Sequence, residues 1–405
     1  MKNHKQFKQT EIERIPKDWE MIRIGEILTL KNGERPVAID NGNFPIYGAN
    51  GVMGYTSNIL VDNDFTIVIG RVGASGEIHL VEGKAWISDN AIYSESYDKN
   101  KIYSPLLFYL LKFKKLSQFA SKTTHSIITQ SFLNSFLVPL PSLPEQKKIA
   151  EILSTVDQGI EKVSEAIEKT QKLKKGLMQE LLTGKRNIVD GRQGKREFKL
   201  TEIERIPKEW EVAQLKEVVE INRDSVDPTK EFPNKRFLYI DIDSVENETG
   251  FITKAKEILG KDAPSRARRV IHNNDILMST VRPYLKAFAI VPKRFHGQIC
   301  STGFAVLTCS EKIYSPFLFY TLFKGSVIDQ CNRMMVGGQY PALNSSQVER
   351  IKIPIPPVAE QKKIAEILST VDKRLEWLRN RKEKLGRIKK GLMNDLLTGK
   401  KRVNL

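Results

Sequence analysis

The thirteen residues EQKKIAEILSTVD stand at Glu145–Asp157 and return unchanged at Glu360–Asp372. They belong to a longer duplication. FKQTEIERIPKDWE from Phe7 recurs as FKLTEIERIPKEWE from Phe198, and IYSPLLFYLL from Ile102 recurs as IYSPFLFYTL from Ile313. VPLP from Val138 corresponds to IPIP from Ile353, and KKGLMQELLTGKR from Lys174 to KKGLMNDLLTGKK from Lys389. The blocks keep their order while the offset grows from 191 to 211 to 215. One architecture is therefore built twice around two unlike inserts, since the stretches between DWE and IYSP look unrelated.

Each copy of the thirteen-residue block opens a helix. Pro144, and Pro356–Pro357 in the second copy, halt an extended segment ahead of it. Apolar residues then recur in steps of four and three at Ile149, Leu153, Val156, Ile160, Val163 and Ile167. The second copy has Ile364, Leu368, Val371, Leu375 and Leu378, with Leu385 and Leu392 further on. That is a heptad seam. From about Pro144 to Thr183 the helix would hold roughly 40 residues, or about 60 Å, with Gly184 and Gly399 at the stops. Two such helices in one chain predict an intramolecular antiparallel coiled coil. Pairing leaves one thing unexplained. Glu145, Gln146, Lys147, Lys148 and Glu151, taken as facing outward, are all retained as Glu360, Gln361, Lys362, Lys363 and Glu366. A partner docking on both copies would account for it.

The inserts read as mixed α/β. FTIVIGRVGASGEIHLV predicts strand, turn, strand, and AWISDNAIYS a further strand. FLYIDIDSV, DILMSTV and KAFAIVP read similarly, whereas SPLLFYLLKFKKLSQFA and SPFLFYTLFKGSVIDQ each predict a short helix starting at Ser-Pro. The expected domains are 1–143 (first globular part), 144–186 (central helix), 187–357 (linker and second globular part) and 358–405 (last helix). The fold class is α/β (α+β) domains in tandem pseudo-repeat, separated by long paired helices.

Composition narrows the function. With 405 residues, 40% hydrophobic and 28% charged, the chain is globular and long enough for two or more domains. It has no apolar run of membrane-spanning length, and MKNHKQFKQTEIER lacks the apolar centre of a signal peptide. Cys300, Cys309 and Cys331 form no CxxC pair, which fits a reducing, cytoplasmic setting. The five histidines show no HExxH, so no metal site is expected. The net charge of +17 suggests a polyanion, most often nucleic acid. Yet the excess is +2 over 1–144, +2 over 145–186, +5 over 187–358 and +8 over 359–405. The last helix carries the largest share, and a solvated lysine-rich face explains that equally well.

Catalytic constellations are thin. GRVGASG from Gly70 has GxxGxxG spacing and runs into a strand, so a tight β-turn fits better than a phosphate loop. There is no GxxxxGK[ST] and no Asn/Asp-Pro-Pro-aromatic motif, and VEGK downstream of Asp62 and Asp64 only loosely mimics a nuclease cluster. A non-catalytic protein is expected. What remains are loops rich in arginine, asparagine, tyrosine and hydroxyl residues. Such side chains suit base edges and phosphates. The DNA-contact candidates are Arg35, Tyr47, Asn50, Tyr55, Arg71, Ser75 and His125 in the first part. In the second they are Arg266, Arg268, Arg269, Thr280, Arg282, Tyr284, Lys286, Arg333, Gln339 and Tyr340.

The order of start motif, variable domain and PLPSLPEQKKIAEILSTVD helix, repeated with PIPPVAEQKKIAEILSTVD, resembles the specificity subunits of type I restriction–modification systems over essentially the whole chain. FPIYGANGVMGYTSN, IVIGRVGASGE, ISDNAIY and TQSFLNSFLVPLP resemble one class of target recognition domain. DILMSTVRPYLKAFAIVP and LNSSQVERIKIPIPP match less distinctively. The resemblance implies two domains that each read half of a bipartite, asymmetric double-stranded DNA sequence, held apart by the paired helices. It implies two methyltransferase subunits docked on the repeated helical regions, by pseudo-twofold symmetry, and two restriction (helicase–nuclease) subunits beyond them. Cofactors would then belong to the partners: S-adenosylmethionine to the methyltransferase, ATP and magnesium to the restriction subunit, none to this chain. Two alternatives stay open at this point. One is the recognition subunit of a cut-both-sides restriction system, and the other a coiled-coil scaffold with two peptide-binding domains.

Overall fold

The computed structural model describes residues 7–404 apart from 12, 38, 40, 121–125, 189–195, 248, 336, 337, 339 and 340. It divides into two compact units, Met1–Ala166 with Leu378–Leu405, and Ile167–Trp377. In chain order the first half holds β1 (Phe7–Gln9), β2 (Arg14–Pro16), β3 (Glu20–Arg23), β4 (Leu28–Asn32), β5 (Phe44–Gly48), β6 (Gly51–Thr56), β7 (Val61–Gly70), β8 (Ile78–Ile87) and β9 (Ala91–Tyr97). α1 (Ser104–Lys114), α2 (Gln130–Ser135), β10 (Leu137–Leu140) and α3 (Leu143–Leu181) follow. The second half holds β11 (Phe198–Leu200), β12 (Arg205–Pro207), β13 (Glu211–Gln214), β14 (Val219–Ile221), α4 (Pro228–Glu231), β15 (Arg236–Ile240), β16 (Lys256–Leu259) and β17 (Ala267–Ile271). After these come β18 (Ile276–Ser279), β19 (Phe288–Ile290), β20 (Gln298–Ser301), β21 (Phe304–Cys309), α5 (Ser315–Leu322), α6 (Gly325–Met334), α7 (Ser345–Glu349), β22 (Lys352–Ile355) and α8 (Val358–Leu396).

The first unit is built on a six-stranded sheet of order β4-β9-β7-β8-β5-β6, antiparallel except where β5 meets β8. Alternation along β7 sends Ile67 and Ile69 to one face and Val68 to the other. On the first face they join α1 through Leu106, Leu107 and Leu110, and α3 through Ile149 and Leu153. On the second, Val68 packs with Val81, Ala85 and Ile87. Both faces are covered, so the strand is buried along its later half and reads as a continuous apolar run.

The second unit has two four-stranded sheets, β14-β21-β18-β19 and β16-β15-β20-β17. Their registers reproduce the first sheet in two pieces. Ile69↔Ile78 and Gly70↔Ala91 correspond to Met278↔Phe288 and Ser279↔Phe304. The parallel contact Ile46↔Trp86 corresponds to Tyr239↔Ile299. The path of β7 is thus shared by β17 and β18, and that of β8 by β19 and β20. This common plan lay hidden in inserts with no visible sequence likeness.

Three local expectations change. AWISDNAIYS is not one strand: the Ala91 N–H donates to the Ser88 carbonyl in a turn that separates β8 from β9. SPFLFYTLFKGSVIDQ forms two helices, α5 and α6, because the Lys324 backbone is extended and its buried ammonium is used elsewhere. It donates to the Leu182 carbonyl and pairs with Glu204, and burial lowers its pKa. Pro144 lies inside the first turn of α3, where a missing N–H costs nothing, rather than ahead of the helix.

Both long helices have 39 residues, but their apolar stripe serves two purposes. The opening turns belong to the domain cores: Ile149, Ala150 and Leu153 in the first unit, Ile364, Ala365 and Leu368 in the second. Only further along does the stripe become a seam. In the first unit Asp157 of α3 pairs with Lys389 of α8 at 2.5 Å, and Leu385 approaches Gly159. In the second, Lys174 pairs with Asp372 at 2.6 Å and the Lys363 ammonium reaches the Ile188 carbonyl. Rising numbers on one helix meet falling numbers on the other, so the pairing is antiparallel. Each helix ends at a glycine in the left-handed region, Gly184 (φ +67) and Gly399 (φ +66). A Cβ there would lie 2.3 Å from Pro207 or Pro16, so no side chain fits.

A shared clamp joins each domain to both helices. The Tyr109 hydroxyl donates to Asp157 (2.9 Å), whose other oxygen takes Lys389; the Tyr320 hydroxyl donates to Asp372 (2.7 Å), which takes Lys174. The lysine heads also lie over the tyrosine rings, at 5.7 and 5.6 Å. Burial, then the neighbouring aspartate, pushes both phenols well above their usual pKa.

Candidate nucleic-acid interface

In the first unit the turn Ser88–Asn90 is the hub of the candidate residues. Its backbone and flanks receive the Ser88 N–H bond to the Tyr47 carbonyl (2.8 Å), the Arg71 N–H bond to the Asn90 carbonyl (2.9 Å) and the Glu34 N–H bond to the Ile87 carbonyl (2.9 Å). Arg35, Tyr47 and Arg71 are thereby gathered round one end of the sheet. Asn50 sits at the exposed tip of the β5–β6 hairpin, where the Ala49 carbonyl lies 3.0 Å from a Cβ built on Gly70. The Arg71 guanidinium is half-buried, and its Nε has no hydrogen-bond partner among the described residues. Tyr47 is half-buried near the His79 ring, and desolvation raises its pKa. Tyr55 is exposed but lies at the far end of the hairpin, paired with Pro45. Ser75 is buried and its hydroxyl is spent on the Arg71 and Ser126 carbonyls, so it holds the loop instead of facing outward. His125 lies outside the described residues.

Sequence reasoning missed the exposed Asp89 and Asn90 at the hub, and His79, whose Nε2 lies 3.2 Å from the Ala49 carbonyl at the hairpin tip. The first two were legible: Ser-Asp-Asn is turn chemistry, and only its placement inside a supposed strand concealed it.

The second unit has the corresponding hub at Thr302–Gly303. The Thr302 N–H donates to the Arg266 carbonyl and the Thr280 N–H to the Gly303 carbonyl, both at 2.8 Å. Arg266 is exposed there. The Thr280 hydroxyl is buried and donates to the Gly303 carbonyl (2.9 Å), a structural use again. Arg268 donates to the Ala267 carbonyl (3.0 Å) and faces Asp227 at 3.4 Å. Arg269 is half-buried at the β17 bulge with Nη1 unpartnered among the described residues, and desolvation lowers its pKa. Arg282, Tyr284 and Lys286 share the turn after β18, and Arg333 is exposed in the last turn of α6. Gln339 and Tyr340 lie outside the described residues. Beside the β18 turn is a cleft of about 850 Å³ lined by Val281, Leu285, Asp243, Glu246 and Asn247 among others.

The expected docking set also needs correcting. Glu145, Gln146, Glu360 and Gln361 do not face outward; each is at most 2% exposed. The Gln146 carboxamide accepts from the Tyr103 N–H (2.8 Å) and donates to the Lys101 and Pro141 carbonyls. Gln361 does the same with Tyr314, Lys312 and Pro356. Glu145 takes a bidentate Arg402. Glu360 takes a bidentate Arg196 and the Trp210 indole N–H (3.0 Å). Burial pulls the Arg196 pKa down, but the hydrogen bonds it donates to Glu360 and Glu209 more than offset it. Most of the repeated letters are therefore fixed from inside. Of the expected docking residues, only Lys147, Lys148, Glu151, Lys362, Lys363 and Glu366 stay exposed.

Two domains on one strand plan, each with an arginine-bearing loop at the same sheet end and each clamped to paired helices, define a protein of duplicated design. The family model described as "Type I restriction modification DNA specificity domain" matches residues 16–171 and again 207–387, and the chain belongs to that family. It is a specificity subunit of the type I restriction–modification class, whose members are non-catalytic. The MjaVIII specificity subunit of Methanocaldococcus jannaschii is 31% identical over 98% of this chain and 96% of its own. The putative MjaX specificity subunit of the same organism is 32% identical over 98% and 97%. The crystal structure of a type I restriction–modification S subunit from M. genitalium matches in fold, with a TM-score of 0.66 at 18% identity and 96% of both chains covered. Among the described residues no helix is long and apolar enough to cross a membrane.

Proposed function

We propose that this chain selects a bipartite, asymmetric DNA sequence, each unit reading one half-site through the loops gathered at its hub. The observation that carries this is the duplicated strand plan ending in non-identical loops: equal frames, different readers. Arginine and the amides of Asn50 and Asn90 have the bidentate geometry that distinguishes base edges in the major groove. Chemistry resides on partners. Two methyltransferase subunits dock on the repeated helix starts, where Lys147, Lys148 and Glu151 and their counterparts Lys362, Lys363 and Glu366 form two like exposed patches. They bring S-adenosylmethionine and receive the target adenines flipped from the duplex. Two restriction subunits bring ATP and magnesium to the full assembly, in the cytoplasm. The test is methylation-aware sequencing of DNA modified by the reconstituted chain and methyltransferase. Two short motifs separated by an unread spacer are expected; one contiguous motif would overturn the reading.

A further inference from the structure

The turn after β7 and the turn after β18 hold the same place in their units. The Arg71 carbonyl accepts from the Ile128 N–H (3.1 Å), and the Thr280 carbonyl from the Leu343 N–H (2.9 Å). Val72 bridges Ile127, and Val281 bridges Ala342. Gly73 stands two residues beyond Arg71 as Arg282 stands two beyond Thr280. Gly76 stands two before Ile78 as Lys286 stands two before Phe288, and Ile78 and Phe288 are matched by register. All four have left-handed backbones: Gly73 and Gly76 at φ +84, Arg282 at φ +48, Lys286 at φ +56.

Glycine adopts that region freely, and branched or long side chains do so at a cost. Five described non-glycine residues lie there. Asn222 and Asn274 are of the type that tolerates it, and Lys115 caps α1. Arg282 and Lys286 alone share a single turn, with the exposed Tyr284 and Leu285 between them. The second unit keeps two cationic side chains where the first is content with glycine. Strain retained in this way points to use of the side chains. We propose that Arg282 and Lys286 are the paired DNA contacts of this turn in the second unit, Arg282 determining specificity at a base edge and Lys286 holding a phosphate. This rests on the DNA-reading function proposed above.

The test uses the full chain assembled with its methyltransferase subunits and S-adenosylmethionine, acting on a random-sequence duplex library whose methylated sites are sequenced. Melting of each variant is measured alongside. Arg282→Gly removes the strain with the side chain, so Tm should hold or rise by about 2 °C while one position of one half-site loses its base preference. Lys286→Gly should keep both half-sites but lower methylation several-fold and reduce the salt slope by about one. Arg282→Asn keeps a residue suited to the left-handed region, and its amide should move the preference at that position from guanine towards adenine. A fall in Tm with an unchanged motif, or no change in either quantity, overturns the proposal. If the wild-type complex yields no motif at all, the parent reading has failed instead.

Discussion

In the first unit β7 and β8 each run ten residues without interruption. In the second the same two paths are cut, between β17 and β18 by a turn in which the Asp275 N–H donates to the His272 carbonyl, and between β19 and β20 by a stretch containing Pro292. Proline has no N–H for a ladder, and Asn274 takes a left-handed backbone in the turn that interrupts the path. One sheet becomes two, yet the hub loops, the hub turn and the connections to the helices survive. A strand plan tolerates breaks where it carries no contact to the helices. The clamps tolerate far less, and there the two units differ in degree.

The largest difference should come at the glutamates that open the long helices. Arg196 is almost wholly buried against Glu360, whereas Arg402 is about one-third exposed against Glu145 and keeps Asp18 besides. Glu360→Ala leaves an almost wholly buried guanidinium with only the half-exposed Glu209 and the Trp210 indole with no acceptor, and should cost the second unit about 3–5 kcal/mol. Glu145→Ala should cost the first about 1–2 kcal/mol. Hydrogen exchange resolved by unit measures both, and equal losses would break the comparison. Gln146→Leu and Gln361→Leu should instead cost the same in each unit, about 2–3 kcal/mol, because both carboxamides satisfy the same three backbone groups. Urea midpoints should move together.

Smaller again, Tyr109→Phe and Tyr320→Phe should each cost about 1 kcal/mol at neutral pH. Their raised phenol pKa fixes the sign at alkaline pH. Stability gained by holding the phenol neutral is complete below the unfolded tyrosine value of about 10 and is lost as pH rises beyond it. The Phe variants should show a shallower loss between pH 9 and 11, and an unchanged slope would show that other groups govern it. The least effect on folding should follow charge reversal of Lys147 and Lys148, or of Lys362 and Lys363. It should stay within about 0.5 kcal/mol, while methyltransferase binding drops at the altered patch. Intact binding in co-sedimentation would remove these lysines from the docking surface.

The helices, their stops and the duplicated frame were legible because heptad spacing, terminal glycines and verbatim repeats are local signals. The common strand plan was not, since a ladder constrains the alternation of side chains and leaves their identity free. The same limit misplaced Glu145 and Gln146. Periodicity puts them beside the apolar stripe, but it cannot reveal that Arg402 and the Tyr103 N–H wait there to satisfy them. Arg71 and Asn50, chosen by residue type in turn-rich loops, lie near one another at one end of the sheet, whereas Ser75 and Thr280, chosen the same way, turn inward.

The antiparallel helix pairing also sets an order of assembly. The second unit is one continuous span of chain, Ile167–Trp377, whereas the first needs Leu378–Leu405 to complete its core and to supply Arg402. On the ribosome the domain that emerges first must therefore wait, with Trp19, Ile149 and Leu153 lacking Leu396 and Leu397, while the later domain already has every residue it requires. Synthesis runs from amino to carboxyl end, but folding is expected to finish in the reverse sequence. The span of exposure would lengthen with any pause in translation over α8.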